Sequence, residues 1–310
     1  MNNILVITGA RGIGDLIYQL PLLRSLYSTY NKKLILISNR VNKAKEVYKY
    51  EDFYSEIIDF DHERYSPIKT ISKIGSFLNL INKYNSDLVI LTSNTTRLML
   101  PVFFSNCKKK IIFGTKNSLL LKDKSMDHLT NCEKIISYTH KLDLNIKEES
   151  FFLNPPISRK TTEIRHNKTI FINIDSHHDQ NNWPINNFIK IIENLLSINK
   201  KVFLNFAPSK EYFLKEIPMK LLNNTNFLCV HKKTISELIE IINSSDVVIG
   251  NESGPICLGA SLKKKVHSIY LPIHTRPESQ AIGGDITYYN TDLINNNKII
   301  KLILGSINSI

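Results

Sequence analysis

The sequence predicts two α/β domains, each built on a mostly parallel sheet, and three observations carry that expectation. Short runs rich in Ile, Val and Leu alternate with longer stretches of helical period, as βα units require when each crossover helix covers one face of a sheet. The alternation lapses over residues 154–168, where Pro155-Pro156, Ser158, two threonines and mixed charge show no sustained period, and then it restarts. A chain of 310 residues is also longer than one hydrophobic core ordinarily serves. The domains are therefore expected at residues 1–158 and 159–310.

In the first half, strands are expected at residues 3–8, 33–38, 57–60, 88–92 and 110–113. A helix is expected over 16–27, where Leu16, Leu20, Leu23 and Tyr27 fall on one face. The second half repeats the pattern with strands at 169–174, 201–206, 226–230, 246–250 and 266–271, and helices at 187–196 and 235–242. Thr234 followed by Glu237 reads as a capping box for the last of these. Pro184 suits the first turn of the helix before it, with Asn182 or a neighbour as its cap.

Composition excludes several classes of protein. Apolar residues at 42% against 22% charged are a globular balance, so disorder is not expected. The opening MNNILVITGARGIGD reads as a buried strand and a Gly-rich turn, not as a signal peptide. No later stretch reaches the ~18 apolar residues of a membrane span. Cys107, Cys132, Cys229 and Cys257 form no CxxC pair, which argues against zinc or disulfides and for a reducing cytoplasm. The net charge of +12 favours an anionic partner: a phosphorylated glycolipid, a membrane face or nucleic acid. A nucleic-acid role lacks a basic motif interleaved with aromatics, and a nicotinamide dehydrogenase lacks the GxGxxG fingerprint.

Open α/β sheets bind ligands beyond the carboxyl ends of their strands, which directs attention to four loops. The first, Thr8-Gly-Ala-Arg-Gly-Ile-Gly-Asp15, contains Arg11, Gly12 and Gly14 and ends on Asp15. Asp15 reads either as a helix cap or as a general base for an acceptor hydroxyl. The second loop, Asp175-Ser-His-His-Asp-Gln-Asn-Asn-Trp-Pro184, offers His177 and His178 for polar contacts to a diphosphate or sugar. Adjacent histidines rarely converge on one ion, so no metal is expected there. The third, Phe206-Ala-Pro-Ser-Lys-Glu211, places a carboxylate where it could accept both hydroxyls of a ribose, or simply open a helix. The fourth, Gly250-Asn-Glu-Ser-Gly-Pro255, leads into a helix with small residues Gly259, Ala260 and Ser261 that permit close packing. The N–H groups of Ser253 to Ile256 at that helix start either seat a diphosphate or belong to a purely structural turn; the cost of burying Asn-Glu-Ser-Gly without a partner favours the ligand.

These stretches together resemble glycosyltransferase family 9, the lipopolysaccharide heptosyltransferases. The resemblance rests on Gly14-Asp15-Leu-Ile-Tyr-Gln-Leu-Pro21, Asn182-Trp183-Pro184 and Gly250-Asn-Glu-Ser-Gly-Pro255, in matching order and separation. Residues 86–90 with 110–114 are also similar to the family's middle section. The resemblance implies a GT-B fold, two Rossmann-like domains facing across a cleft, the first taking the acceptor and the second the nucleotide sugar. It leaves the C-terminal helix free to pack back on the first domain. It further implies an inverting, metal-independent transfer without a cofactor, with ADP-heptose as donor and a lipid-linked lipopolysaccharide-core or related surface glycan as acceptor. The cysteine pattern fits a cytoplasmic enzyme, and the basic charge with scattered Phe and Tyr suits peripheral association at the inner membrane face. Asp15 then matches the proposed base, Glu211 the ribose carboxylate, and Ser253 and Gly254 the diphosphate seat, while Arg11, Gly12 and Gly14 form the acceptor-side loop.

Departures from the family pattern cluster on the donor side. Asn181 stands where a basic residue is usual, Glu252 where Asp is usual, Cys257 where His is usual, and Leu271 and Ile273 replace Gly and Thr. His177, His178 or Lys210 are the candidates to restore the positive charge. The alternatives are a same-fold transferase using another donor, such as N-acetylglucosaminyl from a UDP-sugar, and a non-catalytic relative that binds nucleotide sugars or glycans.

Overall fold

The computed structural model describes residues 3–10, 12–61, 67–93, 95–116, 121–122, 125, 129–156, 168–176, 179–271 and 283–308. The chain forms two compact units, Met1–Phe151 and Phe152–Ile310. The expected linker at 154–168 lies mostly outside the described residues.

In the first unit the chain runs β1 (Ile4–Ile7), α1 (Ile13–Tyr18), α2 (Leu20–Tyr30), β2 (Leu34–Asn39), α3 (Ala44–Val47), β3 (Tyr54–Phe60), α4 (Pro67–Lys83), β4 (Leu88–Leu91), α5 (Thr96–Phe104) and β5 (Lys109–Ile112). A two-residue antiparallel pair follows, β6 (Thr115–Lys116) with β7 (Leu121–Lys122), and then α6 (Asn131–Lys141). The main sheet has the order β3-β2-β1-β4-β5 and all its pairings are parallel. Strands β1 and β4 are buried along their whole length, which explains why they read as unbroken apolar runs instead of alternating ones. Leu5, Ile7, Val89 and Leu91 pack with Phe77 and Ile81 of α4 on one face.

The expected helix at 16–27 is two helices, α1 and α2, separated at Gln19. Pro21 has no N–H to continue the ladder, and the Gln19 N–H bonds to the Leu16 carbonyl at 3.1 Å, a tighter turn that ends α1.

In the second unit the elements are β8 (Thr169–Asn173), α7 (Ile185–Ser197), β9 (Lys201–Asn205), α8 (Met219–Leu222), β10 (Phe227–Cys229), α9 (Ile235–Ser244), β11 (Val247–Asn251), α10 (Gly254–Ser261), β12 (Lys265–Tyr270), β13 (Asp285–Asn290) and α11 (Asn296–Asn308). The sheet order is β10-β9-β8-β11-β12-β13, again parallel throughout. Strand β13 was not among the expected strands, although Ile286-Thr-Tyr-Tyr289 after Gly283-Gly284 carries a clear β-forming signal. The capping box at Thr234 is present, each partner satisfying the other's backbone N–H. Helix α11 packs within the second unit: Ile299, Ile303 and Ile307 join its core, and Asn296 accepts the Trp183 indole N–H at 2.7 Å.

Both sheets reverse direction at their first strand. The chain builds outward from β1 to β3 and returns to add β4 on the other side of β1. It does the same from β8 to β10, returning to add β11 beside β8. Such switch points open a crevice at the carboxyl ends of the two central strands, because the flanking connections leave on opposite faces.

Candidate functional site

At the first switch point the loop after β1 meets the loop after β4. The Gly9 N–H donates to Thr92 Oγ1 at 2.9 Å, and the approach is so close that a Cβ on Gly9 would lie 2.4 Å from Ser93 Cβ. That glycine is demanded by packing between loops. Gly12 differs: among the described residues a Cβ there would meet nothing within 4 Å, and its φ of −146° suits any residue. Gly12 is the N-cap of α1, so Asp15 is not the cap; it stands half-buried in the first turn, where the helix N-terminus favours a negative charge. Gly14 is the second residue of that helix, and Arg11 lies outside the described residues.

The second switch point is a buried polar network. Asn173 ends β8 and Asn251 ends β11, and both are fully buried. Asn173 Nδ2 donates to the Asp175 carbonyl at 2.6 Å and to Ser253 Oγ at 3.0 Å, while its Oδ1 accepts from Asn205 at 2.7 Å. Asn251 donates to the Ile174 carbonyl at 2.6 Å and accepts the Trp183 N–H at 2.9 Å. These bonds satisfy groups whose burial would otherwise be costly. Gly250 is required here, since a Cβ would fall 2.3 Å from the Asn173 carbonyl oxygen across the β8–β11 pair. Gly259 lets α10 lie against β11, with Val248 already 3.0 Å from where its Cβ would be.

The start of α10 is capped differently from an ordinary helix. Ser253 is the N-cap, yet its hydroxyl turns away from the helix and donates to the Asn251 carbonyl at 2.8 Å. The Ile256 N–H bonds to the Ser253 carbonyl at 3.1 Å and Pro255 has no N–H. Of the expected seat from Ser253 to Ile256, two amides therefore remain: among the described residues, the N–H groups of Ser253 and Gly254 have no hydrogen-bond partner. Two unpartnered donors at a helix N-terminus are suited to an anionic oxygen. Glu252 lies just before them, half-buried, its N–H bonded to the Ile269 carbonyl at 3.1 Å.

The structure places Lys210 at the same edge, but its charge is already engaged. Its Nζ lies 2.6 Å from Asp179 Oδ1 and 3.8 Å from Asp175 Oδ2, and donates to the Ser176 carbonyl at 2.7 Å. Asp175 is buried, which raises its pKa, while the Ala207 N–H and Lys210 oppose that rise. Asn182 does not cap α7. Its Oδ1 accepts the Ser176 N–H at 2.7 Å, and Pro184 occupies the N-cap position with no side-chain bond to the helix. Asn181 ends a short 3-10 turn, and His177 and His178 lie outside the described residues.

Glu211 is exposed in the first turn of a 3-10 segment after β9, paired with Lys232 at 2.7 Å, whose ammonium lowers its pKa. Beside it stands His231, which sequence reasoning missed. The imidazole stacks on Phe206, centroids 4.5 Å apart and planes at 13°, and lies 3.9 Å from Glu211 Oε1. Neither ring nitrogen has a hydrogen-bond partner among the described residues, and burial lowers the pKa, keeping the ring neutral with one donor and one acceptor. His231 directly follows β10, so the rule that sent attention to loops after strands could have flagged it.

Among the described residues, no group of three or more His, Cys, Asp or Glu is arranged to hold a metal ion. No described helix is long and apolar enough to cross a membrane.

Two parallel sheets with reversed strand order, each carrying polar loops at its switch point, define a two-domain α/β protein of the GT-B class. Solved structures share this fold. A glycosyl transferase of family 9 from Veillonella parvula superposes with a TM-score of 0.75 at 16% identity, covering 98% of this chain and 89% of that one. The E. coli heptosyltransferase WaaC solved with ADP gives 0.73 at 14% identity, covering 99% of both chains. The family model for glycosyltransferase family 9 (heptosyltransferase) matches residues 124–287, and the chain belongs to that family. Lipopolysaccharide heptosyltransferase 1 of Campylobacter coli is 28% identical over 171 residues, 53% of this chain and 46% of that protein, so the match spans about half the length of that relative.

Proposed function

We propose that this chain transfers a sugar from a nucleoside-diphosphate donor to a hydroxyl of a lipid-linked surface glycan, with ADP-heptose as donor and a lipopolysaccharide core as acceptor. The observation that carries the reading is the pair of unpartnered amides at Ser253 and Gly254, held at the second switch point by Asn173 and Asn251. Such donors meet the charge that builds on a leaving diphosphate without reorganising, which is where preorganisation lowers a barrier most. Glu211 and the neutral His231 beside it offer an acceptor pair and a donor-acceptor ring for the nucleoside, His231 having buried nitrogens still to satisfy. Lys210 supports this edge indirectly, by neutralising Asp175 and Asp179.

On this reading Asp15 accepts the acceptor hydroxyl's proton as that oxygen bonds to the anomeric carbon. The bond from that carbon to the donor phosphate breaks on the opposite face, the nucleoside diphosphate departs, and the configuration inverts. No metal is assigned to the reaction.

The test is product formation with a panel of ADP- and UDP-sugars on a deacylated glycan acceptor, wild type against Asp15→Asn. Loss of a general base should cut turnover by roughly 10²–10⁴-fold, with ADP affinity unchanged by calorimetry. Near-wild-type turnover in Asp15→Asn removes that residue from the role. Tight nucleotide binding with no product from any donor would instead favour a binding protein.

A further inference from the structure

We propose that one corner of the first unit, formed by Phe103, Phe104, Lys108, Lys109 and Lys110, is a docking surface for an anionic lipid bilayer. Phe103 and Phe104 are 40% and 64% exposed, and they are the only adjacent pair of large exposed apolar side chains among the described residues. Their rings meet edge to face, 5.2 Å between centroids, so they present one apolar knob and not two scattered contacts. They form the last turn of α5, which Ser105 closes by bonding back to the Val102 carbonyl.

The surroundings are basic. Lys108, Lys109 and Lys110 are all exposed, and Lys110 Nζ donates to the Phe103 carbonyl at 2.8 Å, which fixes an ammonium beside the knob. The Asn106 N–H bonds to Asn82 Oδ1 at 2.8 Å, tying this turn to the end of α4, where exposed Lys83 adds a fourth positive charge. Against these stands Asp87, which pairs with Lys108 at 3.2 Å. Two exposed phenylalanines ringed by lysines match the chemistry of a negatively charged membrane surface, where rings enter the headgroup boundary and ammonium groups meet lipid phosphates. A second copy of the chain is a poor occupant, because it would set the same lysines against one another.

The corner lies at the end of the sheet where β5 begins, whereas the Asp15 loop follows the carboxyl end of β1 in the same parallel sheet. Docking and chemistry are therefore separable. The inference does not rest on the transferase reading, since a chain without turnover would dock equally well.

The experiment is co-sedimentation of the full chain with vesicles of phosphatidylglycerol and phosphatidylethanolamine, against vesicles of phosphatidylcholine. Binding should be confined to the anionic vesicles and should weaken as salt is raised. Each lysine near the surface contributes on the order of fivefold, so Lys108→Gln with Lys109→Gln should weaken binding roughly twenty-five-fold. Phe103→Ser with Phe104→Ser should abolish it, with an unchanged thermal midpoint showing that the fold is intact. Leu293→Ser, at an apolar side chain 82% exposed in the second unit, should leave binding as it was. Equal binding to phosphatidylcholine, wild-type binding by the double variants, or a phenylalanine pair that proves to mediate dimerisation would each overturn the proposal.

Discussion

The two switch points share one topology and differ in how they are held. At the first, Thr8 bonds Ser38, Asn42 donates to the Ala10 carbonyl and Thr92 joins Gly9 to Gln19, and among the described residues nothing lies within 4 Å of where a Cβ on the N-cap Gly12 would be. At the second, Asn173 is bonded to Asn205 and Ser253, Asn251 links the Ile174 carbonyl to the Trp183 N–H, and there is no room for a Cβ on Gly250. The Asn173 carbonyl packed against Gly250 leaves the second edge no slack, whereas the first has room beside Gly12 among the described residues. An edge without slack suits the diphosphate seat proposed there, and room beside a helix start suits the acceptor loop proposed at the other.

The sharpest way to break this contrast is to place the same methyl group at each edge. Gly250→Ala forces β8 and β11 apart against the Asn173 carbonyl and should cost about 3 kcal/mol or more, read as the shift of the denaturant midpoint.

Acid sharpens the comparison next. His267 of β12 is buried, bonded through Nδ1 to Tyr289 and through Nε2 to Ser306, and burial holds its pKa at about 4. Because the folded value lies below the unfolded one, the neutral ring's contribution is complete above pH ~6.5 and is lost as pH falls from there towards ~4. The loss should reach up to about 3 kcal/mol. Asp175, whose pKa is raised, acts in the opposite sense at the acid end, so the measurement is the difference in stability between wild type and His267→Gln across that window.

A smaller effect is expected from Asn251→Ala, which strands the Trp183 N–H and the Ile174 carbonyl in the core. It should destabilise by about 2 kcal/mol in the same assay and weaken ADP binding. Smallest of all is Gly12→Ala, within about 0.5 kcal/mol of wild type. If that substitution abolishes turnover while leaving stability intact, the open space at Gly12 is ligand space.

Much of the fold was legible in the sequence because each strand is a short run whose burial is written into its own residues. β1, β4, β8 and β11 are apolar on both faces, and the expected strands fall within a few residues of those found. The apolar period across Gln19 implies one unbroken helix over 16–27, whereas the missing N–H of Pro21 divides the observed span into two. The loops after the strands are legible for a topological reason, yet the hydrogen bonds made inside them are not. Lys210, a candidate for free positive charge, is engaged by Asp175 and Asp179, and Asn182, a candidate helix cap, accepts from the Ser176 N–H instead.

What the sequence by itself determined is the ladder of strands and helices, the division into two halves and the polar loops that mark each switch point. Only the tertiary structure decided which donors in those loops remain unpartnered. Asn173 meets Ser253 across 80 residues, and Asn251 meets the Ile174 carbonyl across 77. Sheet order sets such pairings. Periodicity records which way a residue faces, but not which distant strand arrives to meet it.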